Sequence, residues 1–239
     1  MPTVIDAGLH EFHEWIYRFH PATGVPSRLL LLLHGWTGDE NSMWVFTRKL
    51  PAQVAILAPR GVYIAPEGGY TWREIQPGKK GFPRVEEFRQ SAEALVRFVD
   101  EWSSSSGVIA DQFDLIGFSQ GAALAYSLAL LHPERIRAMA ALSGFMPPGA
   151  RELLLRRPLA GKPIFVAHGM RIRWSQLSRR ARLWHCWMVR EHGSPIASLT
   201  VVTNSASTVM PDWQNYLVRI VSSLGNPPRL SAMLKIFNK

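Results

Sequence analysis

The stretch Phe113-Asp-Leu-Ile-Gly-Phe-Ser-Gln-Gly-Ala-Ala123 decides the fold of this chain. It begins with a short apolar run, passes through the pattern Gly-x-Ser-x-Gly centred on Ser119, and leads into Gln120–Leu131, which is rich in alanine and leucine. A buried strand, a sharp turn and a helix are the setting in which this pattern presents a serine hydroxyl above a parallel sheet. The flanking glycines are needed because a Cβ there collides with the neighbouring strand or helix. The stretch therefore predicts a nucleophilic serine at position 119.

Four further apolar runs resemble the one before Ser119. Each ends at a residue that breaks or turns the chain, as expected of strands buried on both faces of a parallel sheet. Between two of these runs, residues 85–102 place apolar side chains at helical spacing. Strands that alternate with helices predict an α/β fold with a mostly parallel sheet and helices on both faces. The four runs are 28–34, 54–58, 136–142 and 163–167.

Two backbone amides are candidates for binding the oxyanion that forms when Ser119 attacks a carbonyl group. The amide of Gln120 begins the following helix, where its hydrogen bond and the helix dipole both favour negative charge. The other candidate is the amide of Trp36, because the pair His34-Gly35 ends a strand and opens a loop. His34 precedes Ser119, against the order serine, acid, histidine, so we predict a structural role, with a general base as the alternative. The alternative for Ser119 is a plain helix N-cap.

Six ordered blocks of this sequence resemble the carboxylesterase/phospholipase family of α/β-hydrolases, which includes the acyl-protein thioesterases. The resemblance implies a compact α/β-hydrolase domain that cleaves carboxylic esters or thioesters without a metal or other cofactor. It implies that Ser119 is the nucleophile and that Trp36 and Gln120 supply the oxyanion amides. It also implies that Tyr70 and Trp72 border the acyl pocket, although two aromatic side chains closing over the core are the alternative. The blocks are 32–41, 58–61, 68–72, 117–123, 142–145 and 163–169, within roughly residues 10–169.

The resemblance ends at Gly169, before the acid and the base of the triad. In the family the acid comes in the motif H-G-x-x-D-x-x-V-P, and a later G-H pair supplies the base. This chain has His168-Gly169 but no carboxylate before Glu191. A serine hydroxyl without a base is a poor nucleophile at neutral pH, so we expect impaired hydrolysis. The local candidates for a substitute acid and base are His185, His192 and Asp212.

The composition changes at the same point of the chain. Residues 1–169 hold 17 Lys and Arg against 16 Asp and Glu, whereas residues 170–239 hold 10 against 2. The net charge of +9 therefore belongs almost wholly to the second part, which also loses clear periodicity. We interpret residues 1–169 as an α/β-hydrolase core and residues 170–239 as an atypical basic segment, the out-of-frame remainder of the same domain.

A shifted reading frame is compatible with both missing motifs. The codons for Met170 to Gln176, regrouped from the third base of the Gly169 codon, are compatible with Asp-Ala-Asp-Thr-Met-Val-Pro, with an Asp codon where Ile172 is read. In that frame the codons around Thr203 are compatible with Gly-His-Lys-Leu, and the His codon lies 31 positions after the Asp codon. Two motifs in one frame at the family's spacing favour the loss of one nucleotide near the Gly169 codon. The alternative is a divergent C-terminal segment.

The remaining features of the sequence predict a cytoplasmic hydrolase. The first twenty residues lack the basic-then-apolar order of a signal peptide. The longest apolar run, 29–33, is too short to span a bilayer, so we expect no integral membrane association. Cys186 is the only cysteine in the sequence, which excludes an intrachain disulfide and a thiolate metal cluster. The expected partner is a small-molecule acyl ester or thioester, and no oligomeric state is predicted.

Two other functions remain open at this level. One is a non-catalytic acyl-binding pseudoenzyme that keeps the pocket without the base. The other is an interaction protein whose basic tail binds nucleic acid or anionic lipid. We expect no nucleic-acid binding, because the basic residues of the tail lack the aromatic and glycine interleaving that usually accompanies it.

Overall fold

The structure is a computed structural model that describes residues 8–26, 28–47, 50–75 and 82–170 and the strands at 182–189 and 195–203. None of the helices in these ranges has the length and apolar character needed to cross a bilayer. The strands are β1 Gly8–Phe12, β2 Trp15–His20, β3 Arg28–Leu33, β4 Val54–Pro59, β5 Tyr63–Ile64, β6 Tyr70–Thr71, β7 Phe113–Phe118, β8 Ile136–Leu142, β9 Ile164–Met170, β10 Arg182–Val189 and β11 Pro195–Thr203. The helices are α1 Arg89–Ser106, α2 Gln120–Leu131 and α3 Ala150–Leu154, with 3-10 turns at Trp44–Phe46, Val85–Phe88 and Pro133–Arg135.

The main sheet has nine strands in the order β1-β2-β4-β3-β7-β8-β9-β10-β11. Strands β4, β3, β7, β8 and β9 are parallel to one another. They are the five apolar runs of the sequence, so the predicted parallel sheet and the α/β class are confirmed. Antiparallel strands flank this centre, with β1 and β2 on one side and β10 and β11 on the other. The short strands β5 and β6 form a separate hairpin.

The central strand β3 is buried along its whole length because both of its faces are covered. Leu29, Leu31 and Leu33 pack with α1 and α2 in one hydrophobic cluster. Leu30 and Leu32 belong to a second cluster, which includes part of the 3-10 turn after β3. Side chains alternate across a strand, so a continuous apolar run supplies both clusters. Each buried leucine contributes about 1.5–3 kcal/mol relative to an exposed one.

Helix α2 is buried on all sides, and this fixes the turn that precedes it. All of its residues from Gln120 to Leu130 are buried. They pack among β7, β8, β3, α1 and α3. A helix with apolar residues all round is a core helix rather than a surface one. The turn between β7 and α2 is therefore held between two buried elements.

A buried ion pair joins the beginnings of two central strands. Arg28 of β3 donates hydrogen bonds to both carboxylate oxygens of Asp114 of β7. The two side chains are only 8% and 3% exposed. Burial raises the pKa of the Asp114 carboxyl, and the Arg28 guanidinium opposes that shift.

Removal of one member of this pair should be strongly destabilising. The variant Arg28→Met leaves the Asp114 carboxylate buried without its partner and should lower the free energy of unfolding by about 3–5 kcal/mol. Urea denaturation measures this loss. The double variant Arg28→Met/Asp114→Leu removes both charges and should recover most of it. Equal losses in the single and double variants would contradict the assignment of the cost to an unpaired charge.

Candidate active site

Ser119 lies in the turn between β7 and α2, at the carboxyl edge of the parallel strands. Its backbone has φ 52 and ψ −112, a combination outside the regions that L-residues normally occupy. Its side chain makes no capping hydrogen bond to the first turn of α2. An N-cap serine has an extended backbone and such a bond, so the N-cap alternative does not describe this residue. Strained conformations of this kind cluster at functional sites.

Three glycines let the turn approach its neighbours closely. A Cβ on Gly117 would lie 2.3 Å from the carbonyl oxygen of Gly121, and one on Gly121 would lie 2.1 Å from that of Leu33. Gly144 follows β8, and a Cβ there would lie 2.9 Å from the carbonyl oxygen of Ser119. Any side chain at these positions would push the turn away from the strands. The glycines of the sequence pattern thus have the steric role predicted for them.

The two amides singled out in the sequence lie on segments next to Ser119. The loop after β3 passes beside the serine, since a Cβ on Gly35 would lie 3.4 Å from the Cβ of Ser119. Trp36 is the next residue of that loop, and its indole N–H donates to Glu67 at 3.1 Å. The amide of Gln120 is in the first turn of α2, where N–H groups lack intrahelical partners. Neither amide donates to another backbone group in the part of the chain that the structure describes.

His34 is fully buried, and both of its ring nitrogens are hydrogen-bonded. Nε2 accepts from the Gly61 N–H at 2.8 Å, which leaves Nδ1–H to donate to the Gly35 carbonyl at 2.7 Å. Burial lowers the pKa of the imidazole, so the ring is neutral at pH 7. With Nε2 bound to Gly61, the ring has no lone pair left for the Ser119 hydroxyl. The arrangement matches the predicted structural role and does not support the alternative of a general base.

Tyr70 and Trp72, the predicted pocket residues, have different environments. Trp72 is 0% exposed, and its ring is tilted against His34 with centroids 4.7 Å apart. This is the alternative foreseen in the sequence, an aromatic side chain that closes over the core. Tyr70 is partly exposed, its hydroxyl accepts from Arg60 at 3.1 Å, and the guanidinium lies 4.5 Å from the ring centroid. Substrate contact therefore stays a prediction for Tyr70.

An ion pair between Arg60 and Glu40 was missed by sequence reasoning. Nε of Arg60 donates to Glu40 at 2.7 Å and Nη2 donates at 3.1 Å, in a two-pronged pair. Burial acts to raise the pKa of the Glu40 carboxyl, but the Arg60 hydrogen bonds and charge hold it below its usual value. The pair links the loop after β3 to the turn after β4. The sequence indicated it only indirectly, because Glu40 and Arg60 are opposite charges that lie in two of the family blocks, each shortly after a strand.

Within the part of the chain that the structure describes, no base lies in contact with Ser119. No hydrogen bond joins its hydroxyl to a histidine or carboxylate among the described residues. His185 lies in β10, paired with His168 of β9, and β10 is three strands away from β7. With about 4.8 Å between neighbouring strands, the two backbones are roughly 14 Å apart, which does not favour His185 as the base. His192 and Asp212 lie outside the described residues.

Comparisons with known proteins point to one family. A sequence model of the phospholipase/carboxylesterase family matches residues 20–171. Acyl-protein thioesterase 1 of Debaryomyces hansenii is 28% identical over 169 residues, 62% of this chain and 71% of that protein. NocK of Nocardia uniformis, named as an esterase, is 28% identical over 162 residues. That match covers 64% of this chain but only 44% of NocK, so the chain spans less than half of this relative.

The fold has solved counterparts as well. The crystal structure of the Bacillus cereus carboxylesterase superposes with a TM-score of 0.53 at 19% sequence identity. The match covers 69% of this chain and 88% of the esterase. At this level of identity the likeness shows a shared α/β-hydrolase fold.

Proposed function

Because the chain belongs to the phospholipase/carboxylesterase family of α/β-hydrolases, we propose that it carries the nucleophile half of a serine hydrolase for acyl esters or thioesters. The observation that carries this proposal is the strained backbone of Ser119, held between a buried strand and a buried helix. In the proposed reaction the Ser119 hydroxyl attacks the acyl carbonyl, the alcohol or thiol leaves, and water then hydrolyses the acyl-enzyme. The cytoplasmic location expected from the sequence belongs to the same proposal.

The amides of Trp36 and Gln120 bind the oxyanion in this proposal. Gln120 begins a helix whose dipole favours negative charge at that end. For Trp36 the support is that a Cβ on Gly35, the preceding residue, would lie 3.4 Å from the Cβ of Ser119. Preorganised donors of this kind are usually the largest electrostatic contribution to acyl transfer, and loss of one costs about 10²–10³ in kcat.

We propose that the chain lacks the acid and the base of the triad, because the family motifs that supply them do not occur in its sequence, and that residues 170–239 are out-of-frame translation. In support, the family match stops at residue 171, two residues past the point where the sequence motifs end. The direction of the sheet changes at the same place, because β10 runs antiparallel to β9 after five parallel strands. The excess of basic residues begins there too. We therefore propose that this chain is an impaired hydrolase.

Labelling with a fluorophosphonate tests the nucleophile. The reagent bonds its phosphorus to a serine oxygen and releases fluoride, and we expect slow labelling at Ser119 with ester turnover near background. Ser119→Ala should abolish the labelling. Ser143→Ala is the matched control, because Ser143 is also partly exposed, follows the neighbouring strand and has a φ of 50. Mass spectrometry of the labelled peptide identifies the site.

The same experiment separates the alternatives. Label on a residue other than Ser119 would contradict the proposal. Rapid turnover of p-nitrophenyl esters would show that a base is present and would contradict the impairment. Binding of an acyl analogue without any labelling of Ser119 would favour the non-catalytic pseudoenzyme.

A further inference from the structure

Trp72 forms two hydrogen bonds to the segments next to Ser119 and a third to helix α1. Its indole N–H donates to the carbonyl oxygen of His34 at 2.8 Å. Its backbone N–H donates to the side-chain oxygen of Gln120 at 3.1 Å. Its own carbonyl accepts from the Ser91 hydroxyl of α1. Because the side chain of Trp72 is 0% exposed, water does not compete for its indole bond.

The side chain of Gln120 is also hydrogen-bonded to Thr71, the residue before Trp72. The hydroxyl of Thr71, which is fully buried, lies 2.9 Å from the amide nitrogen of Gln120 and 3.0 Å from its amide oxygen. Residues 71 and 72 therefore hold the residue that directly follows the nucleophile. A buried amide with several partners has little freedom to move, since every lost bond leaves an unsatisfied polar group.

Two of the three partners of Trp72, His34 and Gln120, lie on the segments that carry the candidate oxyanion amides. His34 comes two residues before Trp36 in the loop after β3, and Gln120 supplies the other amide itself. Trp72 therefore links the two segments. Its indole N–H is bonded to the loop after β3, and its backbone N–H is bonded to Gln120. The ring also packs against that of His34 in a tilted arrangement, with 4.7 Å between centroids, which strengthens the first of these links.

We propose that Trp72 is a positioning residue that sets the separation between the amides of Trp36 and Gln120. The inference rests on the proposed function. An oxyanion is stabilised only by donors already placed at about 2.7–3.1 Å from the position of its oxygen, so a small shift of one segment weakens both bonds. The indole is enclosed and so acts on the reaction through the two segments rather than by touching the substrate.

The variant Trp72→Phe tests this role in the chain as it exists. It removes the indole N–H, keeps an aromatic ring and keeps the backbone bond to Gln120. Saturation kinetics of fluorophosphonate labelling give the inactivation rate constant and the reagent affinity separately. We expect the rate constant to fall on the order of tenfold with the affinity unchanged, a smaller loss than removal of a whole oxyanion donor.

Trp102→Phe is the matched control. Trp102 is also a buried tryptophan, 3% exposed, but it packs against Phe19 of β2 with ring centroids 5.0 Å apart. Strand β2 is three strands away from β7. The control should lose stability in urea as Trp72→Phe does and should keep the labelling rate constant.

Several results would overturn the positioning role of Trp72. An unchanged rate constant in Trp72→Phe, or equal falls in the two variants, would overturn the positioning role. Absence of Ser119 labelling in the unaltered chain would overturn the proposed function and the inference with it. If Trp72→Phe does not fold, Gln120→Met removes the other link without a large cavity, and a normal rate constant in that variant would overturn the proposal.

Discussion

Insertion of one nucleotide in the Gly169 codon should raise kcat/KM for p-nitrophenyl esters by about 10⁴-fold or more, because in the proposed reading frame it supplies an acid and a base. The Asp codon falls where Ile172 is read, two positions after the end of β9 at Met170. β9 is parallel to β8 and ends at the same edge of the sheet as Ser119. An acid placed there follows a strand at the edge where α/β sheets bind their ligands.

The two forms of the protein should be compared on a panel of p-nitrophenyl esters of increasing acyl length. The restored aspartate codon changed to an asparagine codon is the control, and this change should remove most of the gain, because the histidine then lacks its orienting carboxylate. A restored protein that is folded and no more active than the original would contradict the hypothesis. So would uninterrupted gene sequence that confirms Met170, Arg171 and Ile172 with no missing base.

The parallel centre of the sheet was predictable because its strands are buried on both faces. A short continuous apolar run such as Leu29 to Leu33 is typical of a strand buried on both faces of a parallel sheet. Each such run can be recognised without knowing which strand it pairs with. The antiparallel strands β1 and β2 were missed. In β2, Trp15 and Tyr17 are buried and the residues between and after them are partly exposed, an alternation that predicts a strand. This alternation spans too few residues to stand out in the sequence, which is why β2 was missed.

In the site too, the features encoded by neighbouring residues were predictable, and the contacts between residues far apart in the sequence were not. The turn at Ser119 was predictable because a strand, two glycines and a helix lie within a dozen residues. The contact between Trp72 and His34 joins residues 38 positions apart, and the pair Arg60 and Glu40 joins residues 20 positions apart. Residue types after each strand were visible in the sequence, but their partners depend on which loops the sheet order brings together. That is why the sequence left two environments open for Trp72, the border of an acyl pocket and the core, and the structure shows the second.

Replacement of Ser119 by glycine should abolish activity and also relieve strain, which distinguishes it from replacement by alanine. In the frame-restored protein both Ser119→Gly and Ser119→Ala should lower kcat by about 10⁴-fold or more, since each removes the nucleophile. At φ 52 and ψ −112 alanine keeps the steric conflict of serine, whereas glycine does not. Such strain is worth about 1–3 kcal/mol, and the greater freedom of unfolded glycine offsets about 0.4–1 kcal/mol of it.

Ser119→Gly should therefore unfold at a higher urea concentration than Ser119→Ala, with a free-energy difference of about 0.5–2 kcal/mol. Ser143→Gly is the control, because it replaces a serine at a φ of 50 beside the site and should leave fluorophosphonate labelling of Ser119 intact. If the glycine variant is no more stable than the alanine variant, the turn does not store strain. The conformation of Ser119 would then be the ordinary preference of this loop, and a strained backbone would no longer support its role as the nucleophile.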